Sequence, residues 1–62
     1  MNQNGWLIED AESDVSHPLY FCGIMHWTHD HMQAVRFARQ SDAQRIASSL
    51  NVPVRVCEHG WG

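Results

Sequence analysis

Residues 19–27, reading LYFCGIMHW, contain no acidic or basic residue other than His26. Laid out as a strand, this run turns Leu19, Phe21, Gly23, Met25 and Trp27 to one side and Tyr20, Cys22, Ile24 and His26 to the other. A strand that is apolar on both faces needs cover on both. Only one segment elsewhere carries a clear helical pattern. The run therefore restricts the chain to a small sheet with helix on one side, and it leaves the second side to be accounted for.

The helical pattern spans residues 41–50. Ser41 and Gln44 have the spacing of a capping box, and Asp42 falls in the first turn, where the helix dipole favours a carboxylate. Ala43, Ile46, Ala47 and Leu50 make one apolar stripe, with Arg45, Ser48 and Ser49 turned away. Asn51 suits the position after the helix, and Pro53 prevents continuation.

Around this helix the sequence predicts three strands. The first covers residues 5–9. An acidic connection over residues 9–14 follows, with four acids in six positions. Pro18 opens the second strand, which runs to Trp27. Ala34, Phe37 and Ala38, with Asp30 and Gln33 spaced as a cap, predict a short helical turn near residues 30–37. The last strand covers residues 52–61, with Val52, Val54 and Val56 on one face and Arg55, Cys57, His59 and Trp61 on the other. The expected fold is a single α+β domain over residues 1–62: a three-stranded sheet in the order β-β-α-β, with the main helix packed on one face. A split β-α-β arrangement places the first strand between the other two and antiparallel to both. The helix would then cover Leu19, Phe21, Met25, Trp27, Val54 and Val56.

A chain of 62 residues buries only about 60% of its unfolded surface, which disfavours most enzyme folds. With 44% hydrophobic residues, three Trp, two Phe and one Tyr, it is too apolar for a fully disordered chain. Residues 15–29 hold the longest stretch without a charge, and Ser16, Pro18, Gly23 and three His make it too polar to span a membrane. The N-terminus MNQNGW lacks the basic region and apolar run of a signal peptide. A cytoplasmic location is expected, with Cys22 and Cys57 as free thiols; their only pairing would be with each other.

Candidate chemistry is sparse. Cys22, Cys57, His59 and one further His invite a zinc reading, yet Cys22 and His26 lie about 13 Å apart along an extended strand. The reading adopted has no metal and no cofactor, with a small zinc-stabilised domain as the alternative. His26, His29 and His31 surround Asp30, but no nucleophile accompanies them, and no enzymatic activity is expected. Four Arg, at positions 36, 39, 45 and 55, face seven acids for a net charge of −3. Direct nucleic-acid binding is therefore not expected, although Arg36, Arg39 and Arg45 keep a nucleic-acid-binding regulator as a further alternative.

The uncovered second face supplies the candidate partner-binding residues: Tyr20, Ile24, His26, Arg55, His59 and Trp61. Aromatic and Arg side chains favour interface cores. The alternative is that residues 28–40 or the termini cover this face. An open sheet edge also suggests a homodimer that buries Tyr20, Ile24 and Trp61.

Trp6-Leu7-Ile8-Glu9, Tyr20 and Trp27, Ala34-x-x-Phe37-Ala38, Asp42-Ala43 and Val56-x-Glu58-His59-x-Trp61 together cover nearly the whole chain. In this pattern the chain resembles small orphan proteins encoded by bacteriophages and prophages, some of which are anti-CRISPR inhibitors. The resemblance implies stoichiometric binding to a host bacterial protein or ribonucleoprotein complex in the bacterial cytoplasm. It implies no catalytic residues.

Overall fold

The computed structural model describes residues 3–14, 16–23 and 26–61, and for Gln3, Asn4 and Trp61 the backbone alone. In chain order the elements are β1 (Gln3–Asp10), β2 (Tyr20–Gly23), β3 (His26–Thr28), α1 (Gln40–Ser49) and β4 (Val54–Trp61). Among the described residues they form a four-stranded antiparallel sheet, ordered β3-β2-β1-β4, with one helix. The fold is α+β as expected, and β1 lies between β2 and β4. No helix among the described residues is long and apolar enough to cross a membrane.

The expected three strands are four because residues 19–27 do not stay extended. The run folds back after Gly23 into a hairpin in which Phe21 faces Trp27 and Tyr20 faces Thr28, with a register shift between Phe21 and Gly23. Glycine weakens a strand interior at this point. Folding back brings the Phe21 and Trp27 rings edge-to-face at 6.0 Å, a favoured aromatic geometry. Met25 and Ile24 lie outside the described residues.

β1 and β4 pair along their whole length, from Gln3 opposite Trp61 to Asp10 opposite Val54. β1 is longer than the five residues predicted, because β4 supplies a partner for each position. Residues of β1 alternate in where their backbone groups point. Trp6 exchanges two hydrogen bonds with Phe37, and the Asp10 amide donates to the Leu19 carbonyl, so even positions face the β2 side. The Ala11 amide donates to the Pro53 carbonyl, so odd positions face β4.

The helical turn predicted near residues 30–37 is instead a single tight turn followed by extended chain. Gln33 N–H donates to the Asp30 carbonyl at 3.0 Å, and Met32 N–H to Asp30 Oδ1 at 2.9 Å. Beyond it, Val35 N–H donates to the Phe21 carbonyl, and Phe37 bridges to Trp6. A short helix carries the full nucleation cost for few bonds. Sheet partners on both sides outweigh it here.

The helix begins two residues earlier than the capping box implies, since that box makes Ser41 the N-cap. Arg39 is the N-cap, in extended conformation and without a side-chain cap, and Leu50 closes the other end by donating to the Ala47 carbonyl. Asp42 lies in the first turn as expected. Ala43 is fully buried, and Ile46, Ala47 and Leu50 pack with it against Ile8, Phe21, Trp6, Trp27, Val54 and Val56. The predicted stripe is thus the buried one, and four of the six sheet residues assigned to it are in place. Leu7 and Ile8 are both fully buried although they point to opposite faces of β1. Each contributes about 2 kcal/mol. The second face is therefore also covered.

Candidate functional site

The β1–β4 register places Glu9 opposite Arg55, Leu7 opposite Cys57 and Gly5 opposite His59, all on the face away from α1. Arg55 Nε donates to Glu9 Oε1 at 2.7 Å, and its Nη2 donates to the same oxygen. Cys57 Sγ donates to Glu9 Oε2 at 3.5 Å. The Glu9 side chain is only 13% exposed, against 39% for Arg55. One carboxylate thus engages two neighbours on β4.

The electrostatics follow from that carboxylate. Burial, then the negative charge of Glu9, push the Cys57 thiol above the ordinary thiol value. The Tyr20 phenol is raised for the same two reasons in the same order. The Glu9 hydrogen bond raises the Arg55 guanidinium further. A thiol held protonated is a poor nucleophile. The cluster is built to fix Arg55 and Cys57 in place.

His59 lies at the other end of this strip. Its ring meets Tyr20 edge-on at 6.2 Å and His31 at 4.8 Å, tilted by 32°. The His31 contact ties the turn at residues 30–33 to the second face, which identifies part of the cover over Tyr20. The turn is anchored again where His29 meets Pro18: a carbonyl only accepts, so His29 Nδ1 carries the proton in that 3.1 Å bond. His17 and His29 also lie together, with ring centroids 4.6 Å apart.

Beside His31 opens a shallow groove of about 340 Å³, lined by His31, Met32, Ala34 and Arg36. Met32 is 67% exposed and shares this groove with His31 and Arg36. Neither Met32 nor Arg36 is in the partner-binding set read from the sequence. The signal was present in the HMQAVR segment, but assigning it to a helix hid which side chains share a surface.

Of the predicted set, Arg55, His59 and Tyr20 come together on one face, with Tyr20 buried at 7% exposure. Tyr20 therefore supports the face from beneath. His26 is exposed on β3, at the far edge of the sheet from β4. Trp61 ends β4, with its backbone paired to Gln3. Ile24 lies outside the described residues.

Cys22 and Cys57 are free thiols. With β1 between their strands they are about 10 Å apart, beyond disulfide reach. No three His, Cys, Asp or Glu side chains among the described residues are grouped to hold a metal ion, so the zinc alternative gains no support. Comparison with known families, curated proteins and solved structures finds no match for this chain.

Proposed function

We propose that the chain is a stoichiometric binding protein whose contact surface joins the groove at His31, Met32 and Arg36 to the β4 strip carrying Arg55 and His59. The observation that carries this reading is the 67% exposed Met32 flanked by His31 and Arg36. Methionine and arginine are enriched in interface cores, and a flexible thioether adapts to irregular partner surfaces. The His31–His59 contact makes the groove and the strip continuous.

The partner class follows from the resemblance to phage-encoded accessory proteins: a host bacterial protein or ribonucleoprotein complex, met in the bacterial cytoplasm and inhibited by occupancy in the manner of an anti-CRISPR. No catalytic step is assigned. Affinity capture from a bacterial lysate with the native chain and with Met32→Asp tests the reading. A protein retained by the native chain and lost with the variant supports it. Identical captured sets, with unchanged restriction of phage in cells producing the chain, exclude it.

A further inference from the structure

We infer that the outer edge of β4 pairs with β4 of a second copy of this chain, centred on Cys57, to make one continuous eight-stranded sheet. β4 is an eight-residue strand at the end of the sheet order, paired on one side only among the described residues. Odd positions of β4 face β1, so Val54, Val56, Glu58 and Gly60 present their backbone groups outward. Such an edge is a template for another strand unless something blunts it.

The usual blunting devices are displaced here. Pro53 occupies an odd position, where its carbonyl receives the Ala11 amide, so the donor it lacks belongs to the inner side. Arg55 is held by Glu9 on the second face. The chain has no Lys, leaving Glu58 as the one acid in β4.

Glu58 then selects the register. A two-fold pairing centred on Glu58 sets two carboxylates directly opposite, which is destabilising. One centred on Val56 shortens the ladder to residues 54–58. Centring on Cys57 pairs residues 54–60, sets Glu58 opposite Val56 of the other copy, and matches outward backbone groups throughout. It also brings Val52, 48% exposed in the single chain, alongside the other copy's strand end. The helices do not obstruct this. α1 packs on β1 and β4, so a strand spacing of about 4.8 Å puts two such helices roughly 10 Å apart, close to ordinary helix packing distance. The two-fold axis stands perpendicular to the sheet, so both copies carry Arg55 and His59 on the same side.

Sedimentation equilibrium of the native chain and of Glu58→Pro tests the inference without any outside partner. Proline at position 58 removes an outward donor and spares the β1 ladder. The native chain is expected at twice its 7.1 kDa, and the variant at 7.1 kDa with an unchanged strand signal by circular dichroism. A second measurement uses Cys22→Ser, which leaves Cys57 as the single thiol. In a non-hydrogen-bonded antiparallel pair the two Cys57 Cα atoms lie about 4.5 Å apart, within disulfide range. Diamide takes two electrons and two protons from the two thiols as one S–S bond forms, giving a covalent dimer. A native mass of 7.1 kDa at every concentration up to millimolar overturns the inference. So does a covalent dimer that forms equally fast in Cys22→Ser with and without Glu58→Pro.

Discussion

Trp6 and Phe37 exchange both backbone hydrogen bonds, at 2.8 and 2.9 Å, although Phe37 belongs to no strand. Val35 donates to Phe21 on the other side. The chain around Phe37 thus lies along the β2-facing edge of β1 beyond the point where, among the described residues, β2 pairs with it at Glu9 and Tyr20. Phe37→Pro removes the donor to Trp6 and leaves a carbonyl without its partner. It should destabilise the fold by about 1–3 kcal/mol. Native-state hydrogen exchange is the check: in the native chain the Trp6 and Phe37 amides should exchange as slowly as those of Leu7.

The core is thin enough that one cavity is decisive. Ile8→Ala should cost about 2–5 kcal/mol, a large part of the stability of so small a domain. Val52→Ser, at a half-exposed site, should stay within about 0.5 kcal/mol in the monomeric Glu58→Pro background. Urea melts of the paired variants measure both.

Arg39 caps the helix without a side-chain bond and places a cation where the dipole is unfavourable. Arg39→Asn supplies a side-chain oxygen for the free amides of the first turn. It should stabilise the domain by about 1 kcal/mol, or about 4–8 °C in melting temperature. An unchanged or lower melting temperature would show that Arg39 makes a compensating contact.

Tyr20 is the chain's single tyrosine, so phenolate absorbance reports it alone. Its titration should lie above the ordinary value of 10.0, and Glu9→Gln should move it down toward that value, since burial and the Glu9 charge both raise it. Tyr20 and Cys57 are acids with raised pKa values in the folded state. Their contribution to stability is complete below the ordinary thiol value of 9.0 and is lost as pH rises through the folded values. Stability should therefore fall on the alkaline side, and less steeply in Glu9→Gln. Asp14 acts in the opposite sense: hydrogen bonds from Ser16 lower its pKa, so its share is lost on acidification.

The sequence was legible where periodicity and burial coincide. Ala43, Ile46, Ala47 and Leu50 form the helix stripe as read, and the alternation in β1 and β4 put Arg55, Cys57 and His59 on one face. It misled where a local pattern competed with a distant partner. Ala34, Phe37 and Ala38 have helical spacing, but Trp6 and Phe21 offer backbone partners that no local window contains. Residues 19–27 read as one strand because a hairpin with little turn chemistry, and only Gly23 as punctuation, leaves no break in the hydrophobicity. On the second face, cover by residues 28–40 was among the readings, and His31 against His59 is part of it; the Glu9–Arg55 contact was not legible, because the two residues are 46 positions apart and only the register brings them together.

The pairing of Gln3 with Trp61 has a consequence for how the chain is made. β1 is synthesised before β4, and its longest ladder waits for that strand. On the ribosome its β4-facing amides have no native partner, and Leu7 and Ile8 lack much of their cover. Helix α1 can form early from local contacts, but the sheet closes only after β4 emerges. The sheet thus closes at the slow rate that non-local contacts impose. A pause or truncation before residue 54 would hand an uncovered, aggregation-prone hairpin to the chaperones.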